Sequence, residues 1–511
     1  MASTDNVGLA AESTVASLFD ARVEAHPTRV AVATDSVAYS YRELARRSRR
    51  LASLLATRGV GRGTRIGLLA ENRPEYFEII LAAARLGAIV ACQSTRAAPL
   101  ELEACLDLVE PVVTMCSPGM REQHDALLGA RPEKLLVLGP EYEEALAAAS
   151  LWQAAPTAEP TDILIIIYTS GTTGAPKGAC ISHRAEITRG MVTRAELGLA
   201  ADDSFVAWSP LSHMGALDNS LGTLLSGGKV IVVDGFDPDR LAEIVATERL
   251  GWLLIMPGTV ERLAAALRAS GAAPAGVKVC GVMPDLIRPA EIAEITTLLR
   301  APFANTFGST ETGNPPCSAN VIPVGQVPDG YSKEQSAFCE VRLVDPDDVD
   351  VPDGVPGELC MRGPTMFSGY WNNPETNAKD FRGGWFHLGD VLVRRPDGLL
   401  DFVDRVKYMI KSGGENIYPA EIERALLQDP DVLEAAVVRR ADPKWGEVPV
   451  AFVACTAEGA VSEADLIELC RRYLASHKTP KEIRFVPPGS IPRGPTGKIQ
   501  RQELEKIAAG G

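Results

Sequence analysis

Histidine is scarce in this 511-residue chain, with six in all, and none of the ten cysteines forms a Cys-x-x-Cys pair. The histidines do not cluster near the cysteines, so neither a zinc site nor a disulfide framework is suggested, and reduced cytosolic thiols are expected. Long apolar runs are missing too. The longest, Phe77 to Cys92, is broken by Glu78 and Arg85 and is too short to span a bilayer. The N-terminus lacks a basic region followed by an apolar run, and the C-terminal Ala-Ala-Gly-Gly carries no lipidation or peroxisomal signal. A cytoplasmic protein with no membrane partner is the expectation. Positive charge is also short: 51 Lys+Arg against 66 Asp+Glu leave a formal charge of −15. That balance argues against nucleic acid as a general partner, although a nucleotide substrate senses only the local field. No fixed-period repeat or low-complexity block appears. What remains is 46% hydrophobic and 23% charged, the composition of a globular protein. Its length suits about three structural units.

Helix-like and strand-like segments alternate through most of the chain. Apolar spacing predicts a helix from Tyr41 to Arg58, with Leu44, Leu51, Leu54 and Leu55 on one face. A short buried strand is expected at Arg65 to Leu69 and a helix at Glu75 to Leu86. Later the same pattern predicts a strand at Val230 to Val233, a helix at Arg240 to Leu250 and a strand at Leu253 to Ile255. Apolar runs inside the strands point to parallel sheets covered by helices. After about Cys339 the strands shorten and are punctuated by Asp, Gly and Pro, as in a small β-rich subdomain. A compact α/β piece follows, with helices expected at Pro419 to Leu427 and Ser462 to Leu474. A domain boundary is expected near Asp404 to Lys407.

One segment stands out chemically. After the apolar run Ile163-Leu-Ile-Ile-Ile comes Tyr168-Thr-Ser-Gly-Thr-Thr-Gly-Ala-Pro-Lys-Gly178. Three glycines allow tight turns, four hydroxyls supply donors, and Lys177 adds a mobile cation, a combination suited to wrapping phosphate oxygens. The spacing does not fit a Walker A loop.

This loop resembles the signature of the adenylate-forming superfamily, which includes acyl- and aryl-CoA ligases, carrier-protein adenylation domains and beetle luciferase. Five further segments resemble that family's motifs in its own order: Pro210-Leu-Ser-His213, Phe307-Gly-Ser-Thr-Glu311, Gly384-Trp-Phe-His-Leu-Gly-Asp390, the stretch from Asp404-Arg-Val-Lys407 to Glu423, and Pro492-Arg-Gly-Pro-Thr-Gly-Lys498. The resemblance spans nearly the whole chain. It implies an α/β fold: a large N-terminal domain (1–404) of two βα-layered subdomains plus a β-rich subdomain, and a small mobile α+β domain (405–511).

The resemblance also implies two half-reactions. A carboxylate attacks the α-phosphate of ATP to give acyl-AMP and pyrophosphate, and the thiol of coenzyme A then displaces AMP. By this likeness Thr169, Ser170, Gly171, Thr172, Thr173 and Lys177 would hold the β- and γ-phosphates. Thr310 would contact the α-phosphate and Glu311 would hold Mg²⁺ through hard carboxylate oxygens. Phe307 and Gly308 would meet the adenine, and Asp390 and Arg405 the ribose. Lys498 would supply the mobile cation of the first step, Lys407 the hinge, and Gly413 and Gly414 the path of CoA. His213 would lie near the carboxylate and thiol channel, with a purely structural histidine as its alternative. The acyl pocket is expected around Trp208, Gly215, Ala216, Gly281, Val282 and Met283.

Three departures from the family pattern surround the nucleotide and the hinge. Val282 and Met283 stand where small residues are usual, Leu388 replaces a threonine, and Tyr408 replaces an aspartate. The expected activity is an acid–CoA ligase for an aromatic, alicyclic or fatty acid, acting as a monomer or homodimer. Alternatives are a ligase with impaired adenylation, a non-catalytic nucleotide- or acyl-adenylate-binding protein and, remotely, a luciferase-like oxidation. From Arg471 to Arg501 eight basic residues accompany a single acid, Glu482. The acidic whole thus concentrates cations on the part expected to move toward ATP and CoA.

Overall fold

The computed structural model describes residues 12–128, 134–170, 176–413, 415–493 and 499–510. The helix Tyr41–Thr57 begins where Ser40 Oγ accepts from the Glu43 amide (3.2 Å) and Glu43 Oε2 accepts from the Ser40 amide (2.9 Å), a reciprocal cap. Leu44, Leu51 and Leu55 are buried on its inner face. The strand Arg65–Leu69 and the helix Glu75–Leu86 also form as expected. The two charges that interrupt the apolar stretch after Phe77 are both buried and paired. Glu78 accepts from Arg47 Nε (2.7 Å) and from the Tyr142 hydroxyl (2.5 Å), while Arg85 Nη1 donates to Asp20 (2.8 Å). One expected boundary shifts. The helix predicted at Arg240 to Leu250 is Pro238–Thr247, because Asp237 Oδ1 accepts from the Arg240 amide and proline occupies the first turn. The next strand then takes Leu250–Leu253 rather than Leu253 to Ile255.

Contacts divide the chain into two compact units. The first is Met1–Glu340 with Arg362–Phe381, and the second is Val341–Met361 with Arg382–Gly511. The first unit contains two large sheets. One has six strands in the order Leu135–Val137, Val113–Cys116, Arg65–Leu69, Ile89–Gln93, Ile163–Ser170, Pro176–Ser182, parallel except for the hairpin formed by the last two. The other has eight, in the order Val321–Ile322, Phe303–Ala304, Val277–Cys280, Leu250–Leu253, Ser204–Ala207, Val230–Val232, Val30–Ala33, Ala38–Ser40, parallel inside and antiparallel at both edges.

The order of this second sheet positions a site. From Ser204–Ala207 the chain moves to one side, to Val230–Val232; from Leu250–Leu253 it moves to the other, through Val277–Cys280 to Phe303–Ala304. Such a reversal leaves a crevice beyond the carboxyl ends of the central strands, where ligands of open α/β sheets bind. Beneath it Leu253, Cys280 and Phe303 pack in one core with Ile244, Leu263 and Ile292 from the covering helices.

The second unit holds almost all of a four-stranded sheet, Glu340–Val344, Gly357–Arg362, Phe386–Arg394 and Leu400–Arg405. It continues into a second sheet centred on Val432–Asp442 and Gly446–Cys455, with the helices Pro419–Leu426 and Glu463–Tyr473 packed on it. The second helix is capped by Ser462, whose Oγ accepts from the Asp465 amide. The expected layering of two βα subdomains, a β-rich piece and a small α+β piece is what the chain adopts. Among the described residues no helix is long and apolar enough to cross a membrane.

Candidate active site

The hairpin of the six-stranded sheet carries the ends of the Ser/Thr/Gly loop. Thr169 pairs across it with Lys177, and Ser170 with Pro176. Gly171, Thr172 and Thr173 lie outside the described residues, and of Ser170 only the backbone is described. The Lys177 ammonium stands 4.8 Å from the centroid of the Tyr370 ring and 3.9 Å from the Asp380 carboxylate. The aromatic face and a long, weak ion pair orient the cation without neutralising it.

A second turn presents Thr310 and Glu311. The strand Phe307–Ser309 runs antiparallel to Gly313–Cys317, and a Cβ at Gly308 would lie 2.1 Å from the Gly313 carbonyl oxygen, so only glycine fits there. The Ser309 amide donates to Thr312 Oγ1 (3.0 Å) and the Glu311 amide to Ser309 Oγ (3.2 Å), which closes the turn locally. The Tyr370 hydroxyl donates to Glu311 Oε1 at 2.8 Å. Tyr370 therefore links Lys177 and Glu311, two residues singled out in the sequence, although it was not singled out itself. Arg189 was missed as well. Fully buried on the helix His183–Leu197, it donates from Nη2 to the Thr310 carbonyl (2.9 Å), from Nε to the Thr365 carbonyl (2.9 Å) and from Nη1 to Asp218 (3.1 Å). The available signal was a helix with Glu186 and Arg189 three residues apart on a face that must be covered.

Glu311 suits a metal of one kind. Among the described residues no group of three or more His, Cys, Asp or Glu is placed to hold an ion. A single hard carboxylate is the donor that Mg²⁺ uses when water and substrate phosphates complete its shell. Bound there, Mg²⁺ would neutralise phosphate charge as the nucleotide is attacked.

The expected acyl residues gather at the carboxyl ends of the central parallel strands. Trp208 follows Ser204–Ala207, donates from Nε1 to the Leu254 carbonyl (2.8 Å), and packs edge-on against Phe236. Gly281 follows Val277–Cys280. Its amide donates to the Leu253 carbonyl, and its own carbonyl accepts from Trp252 Nε1 (2.8 Å). At φ +75° its Cβ position would fall 2.0 Å from the Phe303 ring, so glycine is required twice over. Met283 has φ +48° and lies at the surface, and Val282 is half-buried. Gly215 and the buried Ala216 start the helix Met214–Ser226, at which His213 is the N-cap residue with its amide donating to the Pro210 carbonyl.

The remaining candidates belong to the second unit. Asp390 and Arg405 are paired across Phe386–Arg394 and Leu400–Arg405, Arg405 Nε lying 2.9 Å from the buried Asp390 Oδ1. Asp404 accepts from the amides of Arg405 (2.6 Å) and Ala420 (2.8 Å), and burial pushes its carboxyl up to about 6. Lys407 sits in the short 3₁₀ turn Val406–Tyr408 with its ammonium 4.8 Å from the Tyr408 ring, and Arg501 covers the same ring at 5.0 Å. The aromatic that replaces the usual aspartate therefore holds cations by its face. Gly413 has φ +61°, and a Cβ there would come 2.7 Å from the Trp445 ring. Gly414 and Lys498 lie outside the described residues. On either side of 494–498, Arg493 and Ile499 pair antiparallel.

A doubly layered α/β unit with a Ser/Thr/Gly hairpin loop, a Thr-Glu turn and a second α+β unit defines an adenylate-forming enzyme. The protein-family model of AMP-binding enzymes matches residues 19–371, and that of the AMP-binding enzyme C-terminal domain matches 421–498. The chain belongs to the AMP-binding enzyme family. It is 34% identical to a feruloyl-CoA synthase of Amycolatopsis sp over 95% of this chain and 97% of that one. It is 33% identical to an indoleacetate–CoA ligase of Aromatoleum aromaticum over 94% and 96% respectively. ATP-bound MatB from Rhodopseudomonas palustris superposes with a TM-score of 0.85 at 27% identity, over 98% of this chain and 99% of that one. The expectation of an ATP-dependent, AMP-forming acid–CoA ligase, with ATP and CoA as substrates alongside the acid, is borne out. The impaired and non-catalytic alternatives are not favoured.

Proposed function

We propose that this ligase activates an aromatic carboxylic acid in the crevice beyond Ala207, Leu253, Cys280 and Ala304, on the α-phosphate of an ATP held by the 169–177 hairpin. The Tyr370 bridge between Lys177 and Glu311 carries the reading, since it joins a phosphate-seeking cation to a magnesium-seeking carboxylate. Aromatic acids are favoured by the two relatives named above, a feruloyl-CoA synthase and an indoleacetate–CoA ligase. Thr310 serves the α-phosphate, Phe307 and Gly308 the adenine, Asp390 and Arg405 the ribose, and Lys498 the charge that builds on the phosphate during acyl transfer. His213 faces the carboxylate and thiol channel. In this reading residues 1–404 bind acid and ATP, and residues 405–511 turn about Lys407 to bring Gly413 and Gly414 to CoA. The enzyme works as a monomer or homodimer in the cytoplasm, where its ten free thiols suit a reducing compartment.

The test is a panel of aromatic, alicyclic and fatty acids with ATP, Mg²⁺ and CoA, read by pyrophosphate release and by mass spectrometry of the thioester. Aromatic acids should give the highest kcat/KM, and a clear preference for fatty acids would overturn that choice. Lys498→Ala should lower pyrophosphate release by a factor on the order of 10² or more while sparing thioester formation from a supplied acyl-adenylate. Equal loss in both half-reactions would remove Lys498 from its role.

A further inference from the structure

Lys333 is fully buried, an unusual position for an ammonium. Its Nζ donates to Asp285 Oδ2 at 2.7 Å and to Asn305 Oδ1 at 2.8 Å. Asn305 in turn donates from Nδ2 to the carbonyl of Ser332 (2.9 Å), and the Tyr331 hydroxyl donates to the Ile287 carbonyl (2.7 Å). Three consecutive residues, Tyr331, Ser332 and Lys333, thus tie the loop after Val277–Cys280 to the segment just ahead of Phe307. The loop is the one that carries Gly281, Val282 and Met283.

That loop needs an outside restraint. It has no ladder of its own between Cys280 and the 3₁₀ turn Pro284–Leu286, and Met283 holds φ +48°, ψ +75°. A side-chain-bearing residue stays in the left-handed region only where its surroundings over-determine it. Burying an ammonium is unfavourable unless a carboxylate and further acceptors compensate it, so the Lys333 pair is sensitive to displacement of Asp285. A buried pair of this kind selects one arrangement over its neighbours, where apolar contacts would tolerate several.

We propose that Lys333 is a specificity-determining positioning residue for the acyl substrate. Clasping Asp285 and Asn305 together, it holds Val282 and Met283 in one conformation and so sets the width of the acyl crevice. The inference rests on the crevice proposed above as the acyl site. It also gives the departure at Val282 and Met283 a purpose. Two larger side chains in place of small ones form a wall of defined position only because Lys333 keeps the loop from relaxing.

The experiment compares wild type with Lys333→Met and Tyr331→Phe, using benzoate as a narrow acid and indole-3-acetate as a wide one. The readout is the ratio of kcat/KM for the two acids, which does not depend on how much of a preparation is folded. Removing the clasp should change that ratio by about ten-fold in Lys333→Met, the scale on which a pocket wall discriminates, and by a smaller factor in the same direction in Tyr331→Phe. The shift should appear in KM for the acid, with KM for ATP unchanged. Tyr331→Phe loses one hydroxyl and keeps the ring, so it remains testable where Lys333→Met does not fold. A ratio equal to that of wild type, in whichever variant melts as a folded protein, overturns the proposal while leaving the ligase reading intact. Absence of thioester from the wild-type enzyme with every aromatic acid of the panel above, while fatty acids react, overturns both the proposal and the aromatic reading it rests on.

Discussion

The Tyr370 hydroxyl donates to Glu311 Oε1 at 2.8 Å, while the ring of the same tyrosine holds the Lys177 ammonium against its face. One side chain thus orients both the carboxylate proposed for Mg²⁺ and the cation proposed for the phosphates. Tyr370→Phe keeps the ring and removes only the donor. Pyrophosphate release should fall about ten-fold, the worth of one oriented hydrogen bond. Thioester formation from a supplied acyl-adenylate should be unchanged, and single-turnover assays of the two half-reactions separate the outcomes.

Arg189 lies between two buried acids. Burial pushes Glu186 well above the ordinary carboxylate range, and both of its oxygens are buried with no hydrogen-bond partner among the described residues. Burial raises Asp218 as well, with the Arg189 guanidinium pulling it back. A neutral Glu186 predicts that Glu186→Gln changes the unfolding free energy by less than about 1 kcal/mol. Arg189→Met should cost about 3–5 kcal/mol, because it strands Asp218 without its cation. Urea unfolding measures both, and similar costs for the two variants would contradict this account.

Glycines near the crevice are not equivalent. A Cβ at Gly281 or Gly308 would sit 2.0 or 2.1 Å from its nearest neighbour, whereas at Gly215 the nearest atom, Leu254 Cδ1, is 3.8 Å away. Gly281→Ala and Gly308→Ala should therefore lose about 3 kcal/mol or more through overpacking. Gly215→Ala should fold normally, with its melting temperature within about 2 °C of wild type, yet raise KM for bulky acids. Thermal melts and an acid panel distinguish the two classes.

Stability should carry a signature from Asp404. Its folded value of about 6 lies above the ordinary 3.8, because burial outweighs the two amide donors. A raised value means that its contribution is fully present below about pH 4 and is lost as pH rises through 6, by about 3 kcal/mol in all. Asp404→Asn should remove that slope. The difference in unfolding free energy between wild type and variant, measured from pH 4 to pH 7, should narrow at low pH and widen as Asp404 ionises in its buried site. A difference that stays constant across the range would falsify the assignment.

Local signals carried much of the architecture. Ser40 with Glu43, Pro419 and Ser462 announce helix starts through short-range capping that needs no tertiary context. Apolar runs such as Ile163–Ile167 announce strands buried on both faces. Boundaries were less legible where a cap competed with periodicity: Asp237 drew the following helix two residues toward the N-terminus of the spacing-based expectation.

The chain's order of residues was enough for what travels in short motifs: the hairpin that carries the ends of the Ser/Thr/Gly segment, the Thr310-Glu311 turn, and the family to which both point. Those motifs place donors, cations and carboxylates within a few residues of one another, and backbone conformation does the rest. Tyr370, Arg189 and Lys333 had no such signal. Each acts on partners 28 to 193 residues away, Lys333 on Asn305 and Tyr370 on Lys177 marking the two ends of that range. Such pairings exist only after the sheets close. It is then the cost of burying a charge or hydroxyl without a partner, rather than any local preference, that decides which distant groups must meet.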